Sequence, residues 1–193
     1  MRNFIVASAS PRRHEILHNG GYTFTVIPSD ADETVSESLT SEQTVIELAK
    51  RKALAVLEDN EDCVVFGCDT VVAVDGKILG KPKDDEDALS MLKMLSGRIH
   101  TVSTGVCVAD KDRCECAVNT TLVEFYELSD STIKSYIATK ECEDKAGAYG
   151  IQGFGSVLIK RIEGDYFSVM GLPISRTARI LNSFGIKGKV TVD

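Results

Sequence analysis

The order of apolar and polar positions predicts strands and helices mixed along the whole chain. Continuous or alternating apolar runs predict strands at about residues 4–7, 22–27, 64–68, 71–74, 77–79, 99–109, 114–126 and 157–162. Helical spacing of apolar residues predicts helices at about 11–19, 41–58, 84–96, 130–139 and 173–184. Long hairpins among helices favour an α/β fold with a mixed sheet.

The segment between the first strand and the first helix suits an anion. Ser10 is a good N-cap, and Pro11 fits the first helical position. Two hydroxyls, Ser8 and Ser10, and two guanidinium groups, Arg12 and Arg13, then surround a helix N-terminus. Such a site attracts phosphate. A capped helix with two solvated arginines is an equally good interpretation of these residues alone.

Asp69 follows a short apolar run and is expected at the carboxyl end of a buried strand, where α/β proteins gather ligands. It could hold a metal or take a proton from water, although a turn-forming aspartate is the commoner case. The acidic loop with Asp30, Asp32 and Glu33 is either solvated or a source of Mg²⁺ ligands. Lys52, at the edge of a helical apolar stripe, either extends into water or faces an anion.

The segment 145–155 is rich in glycine, which allows close backbone approach to a ligand or simply forms turns. Its spacing is not the dinucleotide fingerprint, because a strand rather than a helix is expected after it. Gln152 within it has an amide that donates and accepts at once, as the edge of a nucleobase requires.

The composition of the chain limits its expected location, its binding partners and the role of its cysteines. The 193 residues are 43% hydrophobic, with no apolar run near the ~20 residues that cross a bilayer and no signal peptide, so we expect a cytoplasmic protein. The net charge of −7 argues against a general nucleic-acid surface. Six cysteines form no C-x-x-C pair, which argues against a disulfide framework or a zinc site. Cys63, Cys68 and Cys107 fall in apolar, strand-like runs, which predicts core packing.

Taken in order, the polar blocks resemble one family. They are SASPRRxEIL at 8–17, Glu33, Lys52, DTVV at 69–72, GKP at 80–82, LSGRxHxVxTG at 95–105 and KAGAYGIQG at 145–153. Each block is weak alone, but their order over nearly the full length resembles the Maf family of nucleoside triphosphate pyrophosphatases. The departures are small: Cys68 stands where the family often has a small residue, and Ile16 where it often has leucine.

The resemblance implies a single domain over residues 1–193, with an elongated, twisted mixed sheet and two lobes around a cleft, similar to inosine triphosphate pyrophosphatases. It implies hydrolysis between the α- and β-phosphates with a divalent metal, Mg²⁺, Mn²⁺ or Co²⁺. The ending of the last block resembles the branch that acts on dTTP and UTP. The expected site comprises Asp69 as proton acceptor, Lys52 and Lys81 as catalytic cations, Glu33 and Asp69 as metal ligands, and Ser8, Ser10, Arg12, Arg13, Thr70 and Gln152 for the substrate.

Three alternatives stay open at this point. A member of the same family could prefer 7-methyl-GTP, or a house-cleaning enzyme of the same fold could remove inosine triphosphate and other modified nucleotides. The family has also been linked to arrest of septum formation, so a division regulator acting by binding is the alternative of another class. The expected partner is a small-molecule nucleoside triphosphate, with no nucleic acid or membrane, and a homodimer is compatible with the sequence.

Overall fold

The computed structural model describes residues 2–192 as a mixed sheet with helices on both faces. The strands are β1 Phe4–Val6, β2 Thr25–Val26, β3 Val64–Val74, β4 Lys77–Leu79, β5 Ile99–Ala109, β6 Cys114–Phe125 and β7 Ile159–Glu163. The helices are α1 Pro11–Asn19, α2 Ser41–Glu58, α3 Asp85–Leu95, α4 Asp130–Ile137, α5 Tyr166–Met170 and α6 Ile174–Ser183, with 3-10 helices at Ala146–Ala148 and Gly153–Leu158.

The predicted α/β class with a mixed sheet is confirmed. The strands lie in the order β2-β1-β3-β5-β6-β7, and β4 pairs with β3. Among residues 2–192, β1 is the one strand that pairs in parallel, with β2 and β3, whereas the β3–β4, β3–β5, β5–β6 and β6–β7 pairs are antiparallel. Among residues 2–192, no helix combines the length and the apolarity needed to cross a bilayer.

Four predicted strands are corrected. The strand expected at 22–27 contains only Thr25 and Val26, because the Tyr22 N–H still donates to the carbonyl of Leu17 at the end of α1. The strand expected at 157–162 begins at Ile159, after a 3-10 helix. The runs 64–68 and 71–74 form one continuous strand, so Asp69 lies in the middle of β3 and not at its end.

The position of Asp69 nevertheless opens onto a cleft. On one side of β3, β1 pairs with residues 64–66 and β4 with residues 72–74. Within the described part of the chain, residues 67–71 have no strand partner on that side. The sequence predicted a ligand site at the end of a strand. In the structure, this gap beside the middle of β3 provides the opening for a ligand instead.

Two hydrophobic cores flank this gap. Phe66 and Leu181 belong to the core under α1 and α6, whereas Val74 and Leu92 belong to the core under α3 and α4. Each half of β3 thus packs against different helices, as expected for two lobes around a cleft.

Helix α2 packs on the opposite face, in direct contact with the sheet backbone. A Cβ at Gly67 would collide with the Ala49 backbone, and one at Gly105 with the Val45 backbone. Two glycines, one on β3 and one on β5, thus let α2 approach closely enough to bring Lys52 over Asp69.

Candidate active site

A cleft of about 680 Å³ lies at the gap in β3. This volume is typical of small-molecule sites. Of the residues expected in the site, nine line the cleft: Ser8, Ser10, Arg12, Arg13, Glu33, Lys52, Asp69, Thr70 and Lys81. The fold thus brings together side chains from α1, α2, β3 and three loops.

Lys52 joins the two expected metal ligands at the centre of the cleft. Its Nζ lies 2.6 Å from Asp69 Oδ1 and 2.9 Å from Glu33 Oε1. The Lys52 and Asp69 side chains are only 12% and 14% exposed, whereas Glu33 is 64% exposed. Burial opposes the charge on Lys52, but the carboxylates of Asp69 and Glu33 outweigh it and raise the pKa of Lys52. Lys52 is therefore a fixed cation at neutral pH.

Arg13 is held by four acceptors. Its Nε donates to the Gly171 carbonyl at 2.9 Å, and Nη1 donates to Ser8 Oγ and to the Cys68 carbonyl, each at 3.0 Å. Nη2 donates to Thr70 Oγ1 at 3.2 Å. The guanidinium thus ties α1 to β3 and fixes a positive charge at the cleft wall.

The N-terminus of α1 faces the cleft with its donors free of a side-chain cap. Ser10 is the N-cap residue and Pro11 the first helical residue, as predicted, but the Ser10 hydroxyl makes no capping hydrogen bond. The first turn has no acidic residue. An anion would therefore meet unpaired N–H groups and the positive end of the helix dipole.

Asp144 brings two further cations to the rim of the cleft. Its Oδ2 lies 3.3 Å from Arg12 Nη2, and its Oδ1 lies 2.7 Å from Lys145 Nζ. Lys145 also donates to the Glu141 carbonyl. Lys81, by contrast, is exposed at the rim.

The glycine-rich segment is fastened by Glu141 and Tyr136. Glu141 accepts from the N–H groups of Phe154 at 2.8 Å and Gly155 at 2.9 Å. Burial works against the charge of Glu141, but these donors and the Tyr136 hydroxyl outweigh it and lower its pKa. Gly153 has φ +70°, and a Cβ there would collide with Glu141. These glycines therefore build a fixed turn beside the cleft.

Gln152 is the one expected site residue that the structure leaves outside the cleft lining. Its neighbours Gly150 and Ile151 line the cleft, and Gln152 itself is half-buried at the start of a 3-10 helix. Its role in base selection stays a prediction.

Comparison with known proteins now identifies the chain's relatives. The model of the family described as Maf-like protein matches residues 3–184. The chain belongs to the Maf family.

Individual Maf relatives are similar over nearly their whole length. A dTTP/UTP pyrophosphatase of Bacillus velezensis is 49% identical over 96% of this chain and 98% of its own. Others of the same name, from Bacillus cereus and Bacillus anthracis, are each 47% identical over 96% of this chain and 97% of their own.

The carboxylates of this Maf chain fit a divalent ion. Asp69 and Glu33 converge on a single ammonium, so their oxygens already lie around one point in the cleft. Paired carboxylates beside a phosphate site are the donors that Mg²⁺ uses in proteins. Maf-type pyrophosphatases generally depend on a divalent metal ion.

Asp144, Lys145 and Thr44 are among the residues lining the Maf cleft that sequence reasoning did not assign to the site. Lys145 opens the last family block, which was the available signal for it. Thr44 gave no such signal. Its hydroxyl is buried, lies at the cleft, and has no hydrogen-bond partner among the described residues, so it can serve a bound ligand.

Proposed function

We propose that this protein is a nucleoside triphosphate pyrophosphatase that hydrolyses dTTP and UTP to the monophosphate and pyrophosphate. The observation that carries the proposal is the Lys52–Asp69 pair, buried in a cleft that also holds Arg12, Arg13 and Lys81. The substrate class is supported by the names of relatives 47–49% identical over 96% of the chain.

The cations account for binding of the triphosphate. The protein has a net charge of −7, yet five basic side chains line this one cleft: Arg12, Arg13, Lys52, Lys81 and Lys145. Arginine suits bidentate contacts to phosphate, and lysine acts as a compact charge. Phosphoryl transfer depends mainly on positioning and charge neutralisation, which these residues supply.

Asp69 has the geometry of the proton acceptor. Lys52 anchors its Oδ1, and its Oδ2 has no hydrogen-bond partner among residues 2–192, which leaves that oxygen for a water molecule. As the water oxygen forms its bond to the α-phosphorus, Asp69 takes a proton. The bond from that phosphorus to the bridging oxygen breaks, and pyrophosphate leaves with the electron pair. Because Lys52 stays protonated, it balances the negative charge that gathers on the phosphates.

Glu33 and Asp69 would hold the metal, for which we propose Mg²⁺, with Mn²⁺ or Co²⁺ as substitutes. The bound ion neutralises phosphate oxygens and polarises the phosphorus. Because Glu33 lies on an exposed loop, it can release Lys52 when the ion binds.

Substrate selection is assigned to Arg12, Thr70 and Gln152, and recognition of the base to Gln152. The amide of Gln152 matches the adjacent carbonyl and N–H of uracil or thymine. Guanine presents a similar pair, so the width of the cleft must exclude the larger purine. The single-domain organisation, the similarity to inosine triphosphate pyrophosphatases, a cytoplasmic location and a homodimer remain predictions beside this one.

The direct test is pyrophosphate release from a panel of nucleoside triphosphates. dTTP, UTP, 7-methyl-GTP and inosine triphosphate would be compared side by side with Mg²⁺, Mn²⁺ and Co²⁺. We expect dTTP and UTP to give the highest kcat/KM. A preference for 7-methyl-GTP or inosine triphosphate would place the chain in another branch, and no hydrolysis of any of them would favour the binding regulator.

A further inference from the structure

Three cysteine thiols meet on the β5–β6 hairpin, away from the cleft. Cys107 and Cys116 are direct cross-strand partners, and Cys114 precedes Cys116 by two residues on the same face of β6. Their sulfur atoms all lie within 4.8 Å of one another. All three are free thiols.

The distance between the Cys114 and Cys116 sulfur atoms matches that of a thiolate metal site, whereas the Cys107 and Cys114 sulfur atoms lie closer together. A tetrahedral zinc ion with Zn–S bonds of about 2.3 Å holds its sulfurs about 3.8 Å apart. Cys114 Sγ lies 3.8 Å from Cys116 Sγ and 2.9 Å from Cys107 Sγ. Binding an ion therefore requires only small movements of side chains that are already on one side of the hairpin.

The surroundings favour a cation held by thiolates. Cys107 is buried beside Ala49 and Ala53 of α2, whereas Cys114 is exposed, so the cluster has one anchored ligand and one face open to water. The ammonium of Lys50 lies near Cys114 and Cys116. Lys50 offsets part of the charge that three thiolates would carry.

We propose that Cys107, Cys114 and Cys116 bind a thiophilic divalent cation of the Zn²⁺ class, with a water molecule as the fourth ligand. Soft sulfur donors select such ions over Mg²⁺, which prefers the carboxylates of the cleft. Lys50 lies near the thiol cluster, and Lys52 pairs with Asp69. Because residues two apart in a helix point about 200° apart, the thiol cluster and the Lys52–Asp69 pair lie on different sides of α2. The chain would thus carry two metal sites of different chemistry.

The test is metal binding by the full chain, purified metal-free under anaerobic reducing conditions. Titration with Co²⁺ should produce the sulfur-to-cobalt charge-transfer absorption of a thiolate site, and Zn²⁺ should abolish it. The double variant Cys114→Ser/Cys116→Ser should lose this absorption and bind about one equivalent less zinc. Cys63→Ser, which removes a half-buried thiol outside the cluster, should behave like the wild type.

Two further variants keep the outcome unambiguous. Cys114→Ser changes an exposed side chain and should fold even where the double variant does not, and zinc affinity should fall at least tenfold. Asp69→Asn should keep the thiolate absorption, since that ion does not occupy the cleft. Absence of the absorption in the wild type, its survival in the double variant, or a disulfide among the three cysteines under these conditions would overturn the proposal.

Discussion

Lys52 Nζ lies 2.6 Å from Asp69 Oδ1, although the residues are 17 positions apart and belong to a helix and a strand. Both side chains are largely buried, so neither can turn into solvent to find another partner. The pair fixes the Asp69 carboxylate through Oδ1 and leaves Oδ2 without a hydrogen-bond partner among residues 2–192.

Replacing Asp69 by asparagine keeps the shape of the side chain but removes the base and one metal ligand. We expect Asp69→Asn to lower kcat by ~10²-fold or more with the fold intact. Steady-state pyrophosphate release and circular dichroism would check this. Asp62→Asn, an exposed aspartate outside the cleft, is the control. Near-normal turnover in folded Asp69→Asn would remove Asp69 from the mechanism.

Replacing Lys52 by methionine keeps the apolar stem and removes the charge. We expect Lys52→Met to lower kcat/KM for dTTP by about 10²-fold, because the cation stabilises charge on the phosphates. Lys50→Met, two residues away on the other flank of α2, is the matched control and should leave kcat/KM unchanged. Equal kinetics for the two variants would contradict the cleft assignment.

Asp144 forms ion pairs with Arg12 and Lys145, so under the proposed function it would compete with the substrate for both cations. Asp144→Asn frees both cations, so KM for the triphosphate should fall, by up to about fivefold given the exposure of the ion pair. The effect should shrink at high ionic strength. Asp112→Asn, on the distant β5–β6 turn, should not change KM. A raised KM in Asp144→Asn would instead make Asp144 a ligand of the substrate or its metal.

Gln152→Ala tests base selection. Loss of a bidentate contact costs on the order of 1–3 kcal/mol in discrimination. We therefore expect kcat/KM for dTTP and UTP to fall much more than kcat/KM for a poor substrate, which serves as the internal control. A uniform loss for every substrate would show that Gln152 supports the glycine-rich turn and does not contact the base.

The burial of His100 leads us to expect a lower free energy of unfolding in acid. It is 2% exposed, contacts the Tyr149 hydroxyl at 2.7 Å, and burial lowers its pKa to about 4. The unfolded chain therefore binds a proton more readily than the folded one, and stability falls as pH drops from about 6.5 to about 4, by up to about 3 kcal/mol.

Urea unfolding at pH 7 and pH 5 would measure this contribution. His100→Gln stays neutral at both pH values, so its stability should change less than that of the wild type. His18→Gln, at an exposed position, should keep the wild-type pH dependence. Identical pH dependence in the wild type and His100→Gln would mean that folding does not lower the pKa of His100.

Local signals predicted several elements closely. Helix α2 spans Ser41–Glu58 as expected, because the Thr40 side chain caps it and Gln43 completes a capping box. The β3–β4 turn at Asp75 and Gly76 has both residues at positive φ, as a two-residue hairpin requires. Helix α5 was missed because its five residues carry too little periodicity to register as a helix.

Long-range pairings lay beyond local patterns. Arg12 meets Asp144 across 132 residues, and nothing near either residue in the chain indicates the other. Asp69 was expected at a strand end because its charge interrupts an apolar run, yet β3 continues through it, since β5 supplies partners from Val65 to Ala73. The thiol cluster likewise depends on the register of the β5–β6 hairpin.

Because Gly67 and Gly105 have no side chains, α2 packs directly on the sheet, and this packing distance sets the distance between Lys52 and Asp69. Any side chain at either glycine would push the helix outward, and Lys52 would be withdrawn from Asp69 without a change in either residue. The Lys52–Asp69 distance is therefore set by the packing of α2 on the sheet, whereas Glu33 and Lys81 lie on loops outside this contact. Substitutions in these loops can therefore change the proposed substrate preference without changing the distance between Lys52 and Asp69.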